Sequence, residues 1–265
     1  MGVVKLEKHG PIATLTLSRP EMLNALGQDG DGAEMVAACA EIESDPTIRV
    51  TVLTGEGRAF SAGGDVKAMK TQTGAFGGSP NDIREGYRRN IHLIVKSLYN
   101  LETPVVAAVN GAAIGLGCDV ACMADVRIAS DKAKFGVTFL KLGLIPGDGG
   151  AWLLPRIIGN SRAAELLFTG DVIDAETALD WGLISRAVPP ETLMEEAMGL
   201  AERMAGQPPQ SLRLAKTLLR HGATSSYETI MELSAASQAL MHKTDDHMEG
   251  VDAILEKRSP VFKGS

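Results

Sequence analysis

Residues 105–119 read Val-Val-Ala-Ala-Val-Asn-Gly-Ala-Ala-Ile-Gly-Leu-Gly-Cys-Asp. The first five are apolar without alternation, the pattern of a strand buried on both faces in a parallel sheet. Asn110-Gly111 stops it. Gly115, Leu116 and Gly117 then lead into a helix with Asp119 in its first turn. A helix start leaves N–H groups free at the positive end of the helix dipole, so this strand–loop–helix aims backbone donors at one spot. It is not a dinucleotide-binding fingerprint, because GLGCDV lacks the third glycine and has no suitable acid about twenty residues on.

Upstream, the same construction recurs in GEGRAFSAGGDVK (55–67). The β-branched run Val50–Thr54 is a strand, a loop of small residues follows, and Asp65 begins a helix. Small residues let a ligand approach the main chain, and free N–H groups at a helix start can hold an oxyanion. Downstream, GLIPGDGGAWLLPR (143–156) sets Asp148 among glycines, either as a turn residue bonding its own backbone or as a functional acid.

Around these segments the chain alternates strands and helices. Val3–Glu7 and Ile12–Leu17 read as two strands joined by a turn at His9-Gly10-Pro11, and Pro104–Val109, Asp125–Ala129 and Leu183–Val188 as further strands. Ile83, Tyr87, Ile91, Ile94, Val95 and Leu98 recur at helical spacing. TQTGAFGGSP (71–80) reads as a mobile loop beside the ligand segment, either a lid or plain surface. Repeated strand–strand–helix units imply a layered α/β core over residues 1–190. A helical region, 191–265, follows, bounded by Pro189-Pro190 and Pro208-Pro209. Its apolar stripes are Leu193, Ala197, Leu200 and Met204, then Leu214, Ala215, Leu218 and Leu219, and after an N-cap at Thr244, Met248, Val251, Ile254 and Leu255. Such a tail must cover its own core or dock on a neighbouring subunit.

Bulk properties exclude several classes. A net charge of -7 over 265 residues disfavours nucleic acid or an anionic membrane as partner. The three cysteines, Cys39, Cys118 and Cys122, form no disulfide framework and point to a reducing, cytoplasmic setting. Cys118 and Cys122 lie on one helix face and read as buried thiols. No HExxH or Cys/His cluster suggests a metal, and neither a signal peptide nor an apolar run long enough to span a membrane is visible. Ser61 lacks the GxSxG context of a nucleophile elbow, since Ala59 stands two residues before it.

FSAGGDVK, then VNGxxxGxG some fifty residues later, then GLIPG-GG, resemble in order and spacing the crotonase superfamily of enoyl-CoA hydratases and isomerases. RPEMLNAL (19–26), LDWGLISRAV (179–188) and the closing EKRSPVFKG extend the resemblance over almost the whole chain. It implies a spiral of ββα repeats with a C-terminal helical trimerisation region, assembled as a trimer or a dimer of trimers. It implies an acyl-CoA substrate whose thioester oxygen is held by the N–H groups of Gly64 and Leu116, with no cofactor beyond the CoA of the substrate and no metal. CoA-binding positions carried over are Leu23, Ala25, Ala62, Asp65, Val66 and Lys67, with Phe262 and Lys263 reaching the CoA of a neighbouring subunit.

The sequence departs from that pattern at the acids. The first glutamate of the two-acid hydratases is replaced by Asp119, one methylene shorter. The second falls at Phe139, which removes the usual acid, and Asp148 is the substitute nearby. The leading expectation is hydration of a 2-enoyl-CoA by the pair Asp119 and Asp148. The alternatives are isomerisation of the double bond by one carboxylate, or a non-catalytic CoA-binding protein.

Overall fold

The computed structural model describes residues 2–265. The chain starts with β1 (Val4–His9), β2 (Ile12–Leu17), α1 (Asp31–Ser44), β3 (Val50–Gly55), β4 (Ala59–Ser61) and α2 (Val66–Thr71). A π-helical turn at Tyr87–Ile91 separates α3 (Pro80–Gly86) from α4 (His92–Asn100). Then come β5 (Val105–Val109), β6 (Ala112–Ile114), α5 (Leu116–Met123), β7 (Val126–Ser130) and β8 (Lys134–Gly136). They are followed by α6 (Gly150–Ile158), α7 (Asn160–Thr169), β9 (Val172–Asp174), α8 (Ala175–Asp180) and β10 (Arg186–Val188). The last helices are α9 (Leu193–Ala205), α10 (Pro209–Gly222), α11 (Tyr227–Met241) and α12 (Asp245–Glu256).

A six-stranded sheet runs β1-β2-β3-β5-β7-β10 and a four-stranded sheet runs β4-β6-β8-β9. The pairs β3/β4, β5/β6 and β7/β8 each send their first strand to the large sheet and their second to the small one, which is the ββα repeat the sequence implies. The strands of the large sheet are parallel apart from the β1–β2 hairpin. The period of two divides β5 between two cores. Val105, Ala107 and Val109 join Leu53, Phe60 and Phe135 on one side, while Val106 and Ala108 join Ile12, Val50, Val52 and Ile128 on the other.

That second face is covered by α9, through Leu193, Ala197, Ala201 and Ala205. Small side chains at every fourth position let the helix sit close on the sheet. The change at residue 190 is therefore one of composition, and the first helix beyond it completes the core of the part before it. Leu183 and Ile184 are buried, but both N–H groups return to the carbonyl of Ala178, so pairing with β7 starts only at Arg186 and the expected strand is shorter. Residues 71–80 are also more anchored than their composition suggests. Ala75 and Phe76 are buried in the main core, and Ser79 with Asp82 forms a capping box for α3.

The stripe on α10 is placed differently from expectation. Leu219 is exposed, and the buried residue of this helix is Lys216. Arg213, Lys216 and Arg220 form a basic edge that grips acids of the core. Lys216 Nζ lies 2.7 Å from Asp125 and donates to the Thr103 carbonyl at 2.6 Å, Arg220 lies 3.2 Å from Asp125, and Arg213 meets Glu43 and Glu102. Burial pulls the Lys216 ammonium down to about 8, against the opposing pull of Asp125. Asp125 also accepts from the Val105 N–H at 2.8 Å. Asp125→Ala leaves two cations facing each other without a counter-ion, and is expected to cost roughly 3 kcal/mol, read as a lower urea midpoint at unchanged slope. Lys216→Met, which removes the buried charge itself, is expected to cost much less.

Several apolar residues of the tail, among them Leu240, Met248, Ile254 and Leu255, stay exposed in the single chain. Thr244 caps α12 as expected, accepting from the His247 N–H at 3.2 Å. No helix among the described residues is long and apolar enough to cross a membrane.

Candidate active site

Because β4 and β6 are neighbours in the small sheet, the loops that follow them lie side by side. Their main chains touch at two glycines. Gly63 has φ +90, and a Cβ there would strike the Ile114 carbonyl and lie 3.3 Å from the Leu116 nitrogen. A Cβ on Gly117 would strike the Ser61 carbonyl. Ser61 is fully buried, donating to the Asn24 carbonyl at 2.8 Å and accepting from the Gly63 N–H at 3.1 Å, so it is a brace for the loop and no nucleophile.

This contact leaves two donors unused. The bridge between Leu26 and Gly64 is made by the Leu26 N–H to the Gly63 carbonyl at 2.8 Å and the Asp65 N–H to the Leu26 carbonyl at 3.3 Å. It employs the groups flanking Gly64, and the Gly64 N–H has no partner among the described residues. Leu116 opens α5, where no carbonyl stands one turn back to receive its N–H. Its side chain belongs to the main core. Gly64 and Leu116 border the same cavity, of about 60 Å³, and Asp148 is on its wall.

Asp148 sits in the Gly147-Asp148-Gly149 turn before α6, is 4% exposed, and has one carboxyl oxygen without a partner. Burial pushes its carboxyl up to about 6. The turn is pinned by His92, whose Nε2 lies 3.0 Å from the Gly147 carbonyl. Asp119 is 0% exposed, and does not line the cavity. Its Oδ2 accepts from the Gly150 N–H at 3.1 Å, at the start of α6, and its Oδ1 has no partner. Burial first, then the neighbouring Cys122 and Asp148, raise its carboxyl well above the ordinary range, against the pull of the Gly150 N–H. The two acids are thus brought together in depth: Asp148 meets the cavity, and Asp119 stands behind it under the same turn.

Phe139, where the resemblance places a second glutamate, puts its ring on the cavity wall, 3.8 Å from where a Cβ of Gly115 would stand. Of the candidate CoA-binding residues, Ala62 and Val66 border the cavity. Leu23 adopts φ 53 and its carbonyl accepts from the Ala62 N–H at 2.8 Å, Ala25 is buried beside it, and Lys67 is exposed at the start of α2. The Asp65 carboxylate is occupied as the N-cap of α2, taking the N–H groups of Lys67 and Ala68 and the Gln28 amide. Phe262 and Lys263 lie elsewhere, in the C-terminal segment that folds back against α12, where the Phe262 ring packs at Gly250 and the Lys263 N–H reaches Asp246 at 2.6 Å.

Tyr87 and Phe76 also border the cavity, their rings edge-on at 6.2 Å. Tyr87 reads in the sequence as one more core position of a regular helix. The π-helical turn that re-aims it has no signal there, and such turns often occur at functional sites.

A family model described as enoyl-CoA hydratase/isomerase matches residues 7–265. The 1,2-epoxyphenylacetyl-CoA isomerase of Escherichia coli K12 is 41% identical over 96% of this chain and 95% of that protein. The crotonyl-CoA hydratase of Syntrophomonas wolfei is 36% identical over 97% and 96%. Among solved structures, an enoyl-CoA hydratase from Bacillus anthracis superposes with a TM-score of 0.92 at 32% identity, covering 99% of this chain and all of that one. With that match running through both donor loops and the Asp148 turn, the chain belongs to the enoyl-CoA hydratase/isomerase family.

Proposed function

We propose that the protein is an enoyl-CoA hydratase, adding water across the 2,3 double bond of a 2-enoyl-CoA. The observation that carries the reading is the meeting, in one cavity, of two unpartnered N–H groups with a carboxyl whose acid and base forms exchange near neutrality. The thioester oxygen accepts from Gly64 and Leu116. Asp148 takes a proton from water, the water oxygen bonds to C3, and the electron pair of the double bond moves to the thioester oxygen as an enolate. The protonated Asp148 then delivers its proton to C2, so one water has been added and the carboxylate is restored. Each donor stabilises the developing charge, by roughly 3–4 kcal/mol in comparable oxyanion holes. A catalytic group is most effective with its pKa near the working pH, which burial gives Asp148.

In this reading Asp119 holds the turn through the Gly150 N–H and keeps its own proton. Asp119→Ala removes the acceptor for the Gly150 N–H. It is expected to lower turnover of crotonyl-CoA, followed by loss of the conjugated thioester absorbance, about tenfold to a hundredfold by displacing the Asp148 turn. The neutral Asp119→Asn, which keeps an acceptor, should retain most of the turnover. Turnover of Asp119→Ala equal to the unaltered protein would remove Asp119 from the mechanism.

A second reading, isomerisation, is favoured by one observation: Asp148 alone reaches the cavity, and a single carboxylate can carry a proton between carbons through the same enolate. The Escherichia coli relative is named as an isomerase. Conversion of 3-enoyl-CoA without hydration of crotonyl-CoA would select it. Assembly as a trimer, or a dimer of trimers, would cover the exposed apolar residues of α11 and α12.

A further inference from the structure

A second cavity, of about 380 Å³, shares Asp148 with the first. That is within the roughly 300–1,000 Å³ of small-molecule pockets. Its floor is apolar, from Val95, Met123 and Leu153, and one wall is the aromatic pair Tyr99 and Trp152. These two rings meet edge to face at 5.8 Å and 89°. Each is held from another side by a guanidinium: Arg220 lies 4.2 Å from the Tyr99 ring and Arg156 lies 4.1 Å from the Trp152 ring. Arg220 is itself anchored on Asp125, and Arg156 donates to the Trp152 carbonyl at 2.8 Å. Trp152 nonetheless remains 39% exposed, with part of its ring surface left uncovered by Arg156 and Tyr99.

The two cavities share Asp148, so an acyl group with its thioester oxygen on Gly64 and Leu116 and C3 at Asp148 has the second cavity beside the substituent on C3. We infer that this pocket receives the aryl ring of an aryl-substituted acyl-CoA, seated against Trp152 and Tyr99. The inference rests on the acyl-CoA reading above. The argument for a ring over an alkyl chain is the fixed wall. Edge-to-face contacts reward a planar partner, and a rigid ring has little rotamer freedom to lose, whereas an alkyl chain must be ordered bond by bond.

The test uses saturated thioesters, which bind without requiring hydration or isomerisation. Dissociation constants are measured by calorimetry for 3-phenylpropanoyl-CoA and nonanoyl-CoA, which carry the same number of acyl carbons, on the full chain and on Trp152→Ala and Trp152→Phe. The phenyl thioester is expected to bind about tenfold more tightly than the alkyl one. Trp152→Ala is expected to reduce that ratio at least about fivefold, and Trp152→Phe to retain most of it. Equal or tighter binding of nonanoyl-CoA, or a ratio unmoved by Trp152→Ala, overturns the pocket assignment alone. Binding of neither thioester overturns the acyl-CoA reading and the pocket with it.

Discussion

Asp148→Asn is expected to reduce turnover of the enoyl-CoA substrate by about 10²–10⁴-fold while making the protein more stable at neutral pH. The catalytic loss follows from the position of Asp148, the only acid on the cavity wall among the described residues. The gain follows from linkage. The folded-state pKa is raised from 3.8 to about 6, so the native protein binds the proton more tightly than the unfolded chain does. Stability from this group is complete below the unfolded value and is lost as pH rises through about 6. At pH 7.5 the ionised Asp148 therefore costs roughly 2–3 kcal/mol, which an uncharged amide does not. The paired measurements are kcat and the urea midpoint. The pH profile of the unaltered enzyme is tied to the same group: as a base, Asp148 is active when ionised, so kcat/KM should be level above about 6 and fall roughly tenfold per unit below it. A profile level down to pH 4.5, or an active Asp148→Asn, would take Asp148 out of the proton transfer.

The second large effect is expected at a residue with no side chain to react. Gly63→Ala places a Cβ against the Ile114 carbonyl at a backbone φ of +90, a conformation that L side chains rarely adopt. Relief requires the two loops to separate, and that moves the Gly64 and Leu116 donors apart. Loss of one oxyanion donor costs about 10²–10³ in kcat, and displacement of both should reach at least that. Gly117→Ala, which drives a Cβ into the Ser61 carbonyl from the other loop, should have the same effect by the same route. Since enolate stabilisation is common to hydration and isomerisation, the loss should appear with either substrate. Circular dichroism and the thermal midpoint separate displaced loops from an unfolded chain. A folded Gly63→Ala protein with full activity would contradict the oxyanion assignment.

The fold is legible where a single period dominates. VVAAV at 105–109 has the pattern of a strand with two buried faces. The two strand–loop–helix turns with free N–H groups followed from loops of small residues ahead of helices, though not the contact of Gly63 and Gly117 between them. What was not legible depends on distance. Nothing in the run around Lys216 says that the charged edge of α10 turns inward and Leu219 outward, because the acids that receive it are at Glu43, Glu102 and Asp125. Phe76 was hidden by a Gly- and Ser-rich surround, and Tyr87 by a helical stripe whose π-helical turn leaves no compositional trace. The depth order of the two acids was likewise out of reach. Sequence spacing brings Asp119 and Asp148 to neighbouring elements, but only the Gly150 N–H bond shows that Asp119 lies beneath the turn and Asp148 above it.

The central claim is that the main-chain N–H groups of Gly64 and Leu116 polarise a thioester carbonyl. It is tested most directly by the infrared difference spectrum of carbonyl-¹³C crotonyl-CoA bound to the inactive Asp148→Asn protein. The account predicts a carbonyl stretch at lower frequency than that of the free thioester, and recovery of the free value in the Asp148→Asn, Gly63→Ala double variant. A bound thioester whose carbonyl absorbs as it does in water would contradict the account.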